Sequence, residues 1–540
     1  MLHALIGMIV SSCLVAAEGS SWAEETLEKM ALDEKIGQLF MVAGYVDRDY
    51  AGREIGKPEI IEEMDFYIQE YHIGGIAYVG PSESGKQVLL TNHYQEISKY
   101  PILIAQDLEW GLSMRLTDAI RFPKNTTLGA IEGEDLIYEM GKEIAAQAKR
   151  IGVHMNLSPV LDVNVEPENI TINVRSFGSS PDEVAAKGIA MIRGLQDGGL
   201  IASAKHFPGL GDIRIDPHLS LPCSAHGKKR LEEVELYPFA RAIEAGVLSI
   251  QTEHLLIPTL ESDPTTPSSL SASVVTDLLK GELGFQGLVL SGALRMKALT
   301  QFLSPEEIVV KAFLAGSDML LMPEDLPKAY QALKTAVADE IITEQQIDTR
   351  VLKILQMKEK VGLDQQRTVS PPTYDELHSP FAKALKKELY KRATSLVRDR
   401  EGLLPLSSLS KERIAYVQLG ETRSSWSSLD SLEKEKLLSQ IDEYDLVVLA
   451  VYPADPRRIA EIRLLSEKNQ KQQLEDFRVH GISQSFLELI DTLKSYEKKV
   501  VVAFFGNPFG LHFFDDYGTV IMGYEDDPDA QEAVSQLLGL

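Results

Sequence analysis

The sequence predicts an α/β protein: a TIM-type (β/α)₈ barrel followed by a smaller α/β sandwich domain. Three observations lead to this reading. Between residues 36 and 322, eight short apolar runs alternate with amphipathic stretches. Polar or ionisable residues close most of those runs at their carboxyl ends. Beyond residue 363 a segment rich in Pro, Ser and Thr precedes a second, shorter series of apolar runs.

The first series occupies residues 36–45, 74–80, 102–108, 152–164, 200–209, 248–255, 287–294 and 316–323. Near-continuous hydrophobicity of this kind is what parallel strands covered on both faces require. The stretches between them read as helices; in GEDLIYEMGKEIAAQAKRIG (133–152), apolar residues recur every three or four positions. Eight strands alternating with helices close naturally into a barrel, whereas a doubly wound sheet seldom uses so many parallel strands. Asp107, Asp162, Lys205, His206 and His254 stand at the carboxyl ends of their runs, the end of a barrel that carries active sites.

A helical stretch follows to about 363, and then QQRTVSPPTYDELHSP (365–380) reads as a linker or docking loop. Runs at 413–420, 445–453, 499–508 and 519–524, again with helices between, predict a second domain built on a parallel sheet. The expected division is therefore an export segment at 1–20, a barrel at 21–363, a linker at 364–385 and a C-terminal α/β domain at 386–540.

Composition limits the partners. The chain has 540 residues, 44% hydrophobic and 25% charged, enough for two or three domains with cores that need neither disulfides nor metals. A formal net charge of -26, spread along the chain, repels phosphate backbones and excludes nucleic acid as a natural partner. Cys13 and Cys223 form no disulfide framework and lack metal-ligand spacing, and Cys223 is expected to be a half-buried, inert thiol. His72, His226 and His512 are isolated in sequence, so no metal site is expected. GELGFQG (281–287) opens no helix in the manner of a dinucleotide loop, and no cofactor is expected. Residues 4–17 are apolar but too few to span a bilayer, which reads as the hydrophobic part of an export signal. No Lys or Arg precedes that run, and Val10-Ser11-Ser12-Cys13 has the look of an early lipoprotein box. Export to the periplasm or beyond is the expectation, a cytoplasmic location the alternative, and no other stretch is long enough to cross a membrane.

The densest chemistry lies in Lys205-His206-Phe207-Pro208-Gly209-Leu210-Gly211-Asp212, continuing to Asp216-Pro217-His218. Glycines and a proline shape a loop that can approach a ligand closely. Lys205 and His206 can donate to sugar hydroxyls. Asp216 and His218 are two apart, so in extended chain their side chains point the same way. A carboxylate bonded to one imidazole nitrogen fixes the tautomer and leaves the other nitrogen for proton transfer.

This block resembles the KHFPGHGD…DSH signature of glycoside hydrolase family 3, in its bacterial exo-β-N-acetylglucosaminidase branch. The resemblance spans residues 22–363 and, more weakly, the remainder. ILIAQDLEWGLSMRL, PVLDVN, NVRSF and PSSLSASVVTDLLKGELGFQGLVLSGALRMKAL are similar to further family motifs in the family's order. It implies that Asp216 and His218 are the acid/base pair, and that Asp107, Arg115, Arg175, Lys205 and His206 hold the non-reducing sugar. The implied partner is a glycan containing N-acetylglucosamine.

Four positions depart from the family pattern. Where the family nucleophile Asp is expected, the chain reads Ser291-Gly292-Ala293-Leu294-Arg295-Met296. Loss of a nucleophile can cost about a millionfold in rate, or ~8 kcal/mol of barrier. Leu210 replaces a His of the signature, and Trp110 a Gly of the strand-three motif. Glu253 stands before His254, where the family usually has a small residue. Its carboxylate either reaches the space vacated at Gly292 or turns outward, or pairs with Arg295. The sequence thus supports hydrolysis of terminal β-N-acetylglucosamine, as in cell-wall turnover. Binding of N-acetylated sugars without turnover is the alternative, and a purely structural role a third.

Overall fold

A computed structural model describes residues 20–46, 58–214, 216–218, 220–409, 411–420, 430–432, 434–454, 481–496 and 498–540. The expected export segment, Cys13 included, falls outside them but for Ser20. Eight parallel strands form the first unit: β1 (Phe40–Gly44), β2 (Gly75–Tyr78), β3 (Leu103–Gln106), β4 (Met155–Asn156), β5 (Ile201–Phe207), β6 (Ser249–Thr252), β7 (Leu288–Leu290) and β8 (Leu320–Leu321). From β1 to β7 each pairs with its neighbours in chain order, and β8 returns to β1. Every residue of β2, β3, β5 and β6 is buried, which is why their runs carry no alternation.

The barrel's seam lies between β7 and β8. There the strands form no regular ladder: the backbone bridges at Leu290–Met319, with the Met319 N–H on the Val289 carbonyl at 3.1 Å and the Ser291 N–H on the Met319 carbonyl at 3.0 Å, and side chains add to it. The Asp318 carboxylate accepts the Val289 N–H at 2.9 Å and a Lys280 ammonium proton at 3.0 Å. The Ser291 hydroxyl accepts the Leu321 N–H at 2.9 Å and donates to the Gly292 carbonyl at 2.8 Å. Ser291 is thereby committed to closing the barrel. Helices surround it with orthodox starts: Ser304 caps Pro305–Ala315 in a capping box with Glu307, and Ser180 caps Pro181–Asp197, both with Pro in the first turn.

The second unit holds six strands in the order β11-β10-β12-β13-β14-β9. Here β9 is Ser395–Asp399, β10 Ile414–Leu419, β11 Asp430–Leu432, β12 Leu446–Val451, β13 Lys499–Phe504 and β14 Thr519–Met522. The sheet is parallel except at β9, which runs antiparallel to β14. The expectation of an all-parallel sheet is corrected at that edge. Ser395–Asp399 is short and partly exposed with two charged residues, so it carries no apolar run to announce it. Alternate residues of the central strands feed two separate cores, Val447, Leu449 and Val502 on one face and Val448, Ala450 and Val501 on the other.

The two units share a helix. Pro380–Ala393 places Ala382, Leu385 and Leu389 in the barrel's core and Tyr390 in the core of the second sheet. Upstream, Val369 exchanges two hydrogen bonds with the Asn92 side chain, at 2.8 and 3.0 Å, so the Pro-rich stretch is tied to the barrel wall. Cys223 is exposed, contrary to the half-buried position expected of it. Among the described residues, no helix is long and apolar enough to cross a membrane.

Candidate active site

The carboxyl ends of β3 and β5 meet in a ring of alternating charge. Lys205 projects from β5 and places its ammonium 2.6 Å from Asp107 and 3.0 Å from Glu109. Arg115, in the loop after β3, donates to the other Asp107 oxygen. Arg175 forks onto Glu109 through Nε at 3.0 Å and Nη2 at 2.7 Å. Burial would raise the Asp107 and Glu109 pKa values. The neighbouring cations outweigh it, holding Asp107 far below the usual carboxylate range and Glu109 at about 2. Burial works against the Arg175 charge, and the anions of Glu109 and Asp107 restore it beyond its ordinary value.

His206 completes the ring. Its Nδ1 lies 2.6 Å from Asp162, and its Nε2 faces the Arg175 Nη2 donor at 3.3 Å. An arginine can only donate, so Nε2 accepts and the proton sits on Nδ1, the neutral tautomer. The other Asp162 oxygen takes the Leu210 N–H at 2.6 Å. Asn169 holds the Leu210 carbonyl at 2.6 Å, and a β-carbon at Gly211 would stand 1.8 Å from the Val163 carbonyl oxygen. Only glycine lets the loop after β5 lie so close to the β4 loop. Leu210, replacing the signature's His, is buried here.

That pinned loop carries the pair Asp216–His218. The Asp216 carboxylate accepts from the His218 backbone N–H at 2.9 Å and lies 2.8 Å from Nδ1. Burial alone would lower the His218 pKa. The hydrogen bond and charge of Asp216, joined by the charge of Glu253, raise it above its ordinary value. Burial likewise opposes ionisation of Asp216, and the imidazolium of His218 brings its pKa down. With Nδ1–H given to the carboxylate, Nε2 is the position from which a proton can be transferred.

At the ends of β6 and β7 the arrangement is different. Glu253 is 5% exposed, neither turned outward nor paired with Arg295, whose guanidinium reaches the Tyr45 hydroxyl at 2.7 Å. A β-carbon at Gly292 would meet two His254 ring atoms at 2.8 Å and the Thr252 carbonyl oxygen at 3.0 Å. The imidazole therefore occupies the space that a side chain at 292 needs. Trp110 is largely buried, with the Lys124 ammonium 5.6 Å from its ring centre.

Asp107, Arg115, Arg175, Lys205 and His206 thus come together, with Asp216 and His218 on the loop beside them. Sequence reasoning placed Asp162 at the active-site end without giving it a role, and missed Glu109. The signal for Glu109 was its place two residues past Asp107, just beyond the third apolar run. His226 is not isolated either: it lies 2.7 Å from Asp212 and close to Glu235. Arg230 already answers that acidic group, at 3.2 Å from Asp212 and 2.6 Å from Glu235.

A (β/α)₈ barrel with paired carboxylates and cations at its carboxyl face, beside a loop carrying a hydrogen-bonded Asp–His pair, has its ionisable groups at the face where barrel enzymes carry their active sites. The family described as "Glycosyl hydrolase family 3 N terminal domain" matches residues 31–357, well over half of the chain. The chain belongs to glycosyl hydrolase family 3. It is 28% identical over 414 residues to a beta-N-acetylglucosaminidase/beta-glucosidase of Cellulomonas fimi, covering 74% of this chain and 71% of that protein. Beta-hexosaminidase A of Pseudoalteromonas piscicida is 27% identical over 467 residues, covering 78% and 77%. A solved family 3 beta-N-acetylglucosaminidase from Paenibacillus sp. str. FPU-7 superposes with a TM-score of 0.76 at 28% identity, covering 94% of this chain and 96% of that one.

Proposed function

We propose that the protein hydrolyses terminal β-linked N-acetylglucosamine from glycans, those of the cell wall included. The observation that carries the reading is the Asp216–His218 pair, hydrogen-bonded at 2.8 Å and near enough to Arg175 of the charged ring for its charge to act on both groups. In this reading His218 Nε2 protonates the glycosidic oxygen while Asp216 holds Nδ1–H and stabilises the imidazolium. Asp107 and Glu109 accept from sugar hydroxyls, and Arg115, Arg175 and Lys205 donate to hydroxyl or acyl oxygens. His206, oriented through Nδ1 by Asp162, adds a further contact at the same rim. The relatives named for N-acetylglucosaminides and hexosaminides support this substrate class.

Release of nitrophenol from a chromogenic β-N-acetylglucosaminide, set against the matching β-glucoside, tests the reading. Faster turnover of the acetylated sugar is the expected outcome. Equal or greater turnover of the glucoside would sink the substrate assignment. One observation favours a second reading, sugar binding without turnover: residue 292 has no carboxylate, and His254 stands where one would go. Protection of the fold by N-acetylglucosamine with no release of nitrophenol would establish that alternative.

A further inference from the structure

Cleaving a glycoside requires a proton donor and a second group with free negative charge facing the anomeric carbon. The carboxylates of the ring cannot be that group. Asp107 is held by Lys205 and Arg115, and Glu109 by Arg175 and Lys205. Asp162 is spent on His206 and the Leu210 N–H. Asp216 serves His218. Each faces a cation or a ring that it orients, so none has charge to lend an oxocarbenium-like centre.

Glu253 differs from all of these. The Ser203 and Ser249 hydroxyls meet at 3.0 Å inside the barrel, on the same side as Lys205. A strand's period of two carries that inward face from Ser249 to Gln251 and on to Glu253. The Glu253 N–H donates to the Phe207 carbonyl at 2.8 Å, prolonging the β5–β6 ladder to the mouth. Its carboxylate accepts the His254 backbone N–H at 2.8 Å, and among the described residues its one ion-pair contact is His254 Nε2 at 3.9 Å. His254 gives it no positive charge. That ring is wholly buried between the Ser269 hydroxyl at 2.6 Å and the Ala293 carbonyl at 3.1 Å. Burial lowers its pKa, so the imidazole is neutral, with its Nε2–H turned to Ala293. The β7 end brings no acid of its own, since Ser291, Gly292 and Ala293 follow Leu290.

We infer that Glu253 is the nucleophile of this site, a carboxylate delivered from the end of β6 in place of one from the end of β7. The inference rests on the hydrolase reading above. A Glu253 carboxylate oxygen bonds to the anomeric carbon as the bond from that carbon to the aglycone oxygen breaks. The leaving oxygen keeps the electron pair and takes the proton from His218 Nε2. Water then attacks the anomeric carbon of the glycosyl ester and gives its proton to His218 Nε2. The ester bond breaks, and the Glu253 carboxylate is regenerated with net retention of anomeric configuration.

The experiment has two arms. Turnover of the chromogenic N-acetylglucosaminide is compared in wild type, Glu253→Gln and Glu253→Ala, with thermal unfolding as a control on folding. A loss of about a thousandfold or more in kcat is expected for both variants. Added azide is expected to restore turnover in Glu253→Ala and to yield the α-glycosyl azide. In the second arm, which needs no variant, wild type is treated with a fluorinated N-acetylglucosaminyl fluoride and digested. Mass spectrometry is expected to find the sugar on the peptide carrying Glu253. Wild-type turnover that persists within tenfold in Glu253→Gln, sugar found on another residue, or an inverted product would overturn the assignment while leaving the hydrolase reading standing. Wild type with no turnover at all overturns both.

Discussion

The raised pKa of His218 makes the activity's dependence on pH a readout of one hydrogen bond. Asp216 and Glu253 hold the imidazole protonated above its ordinary 6.5, so the proton donor is intact below that value. It is lost as pH rises through the raised value, which puts the limb on the alkaline side of the kcat/KM profile. Asp216→Asn removes the largest of the raising influences. The expected result is an alkaline limb moved to lower pH with a loss of ~10²–10⁴-fold in kcat. A limb that stays in place would show that another group is titrating. This pair was legible in the sequence because its spacing and chemistry are local. Glu109 and Asp162 were harder to see, since their importance lies in what the fold brings to them. Arg175 is 66 residues from Glu109, and His206 is 44 from Asp162.

Among the secondary-structure elements, the barrel's strands were readable because burial on both faces writes an uninterrupted apolar run. β9 and β11 were not. β9 is a charged antiparallel edge, and β11 is three residues paired along one side only. Helix Glu344–Lys360 shows a different cost of burial. Its Lys358 is wholly buried, donates to Gln38 Oε1 at 2.6 Å, and burial lowers its pKa to about 7. The unfolded chain keeps that proton up to about 10.5. Between the two values the unfolded state binds more protons, so stability rises with pH at up to ~1.4 kcal/mol per unit. Near pH 10 the buried Tyr78 and Tyr94, whose pKa values burial raises, begin to act in the opposite sense. Lys358→Met is expected to flatten the rise between pH 7 and 9 in denaturant titrations. It also leaves Gln38 without its donor, at ~1–3 kcal/mol, so the variant should be the less stable form at pH 9. An unchanged slope would mean that Lys358 stays charged in the folded state.

For the whole molecule, the question is what the second unit does for a site built on the first. Helix Pro380–Ala393 already binds the two cores together, so the units do not move as beads on a string. Past β14, Glu525 reaches into the barrel and collects three donors: Arg121 Nη2 at 2.7 Å, the Lys124 N–H at 2.7 Å and the Thr127 hydroxyl at 2.6 Å. Those donors flank or belong to helix Asn125–Gly129, whose first residue donates from its side chain to the Arg175 carbonyl at 2.6 Å. Asn507, on the same side of the second unit, donates to Asn173 at 2.8 Å, two residues before that arginine. The second unit is thus two hydrogen bonds away from the cation that holds Glu109 and faces His206. Glu525→Ala removes the buried acceptor of the half-exposed Arg121 and of two other donors. It is expected to cost ~2–4 kcal/mol in chemical denaturation. Because Arg175 is held less firmly, KM for the N-acetylglucosaminide should rise more than kcat falls, since the ring proposed to hold the sugar loosens while the Asp216–His218 pair is untouched. Glu525→Gln keeps the shape and one acceptor, and should recover much of the stability and part of the KM. Were Glu525→Ala to unfold like wild type with KM unchanged, the second unit would be a passenger, and the barrel alone would set the geometry of Arg175.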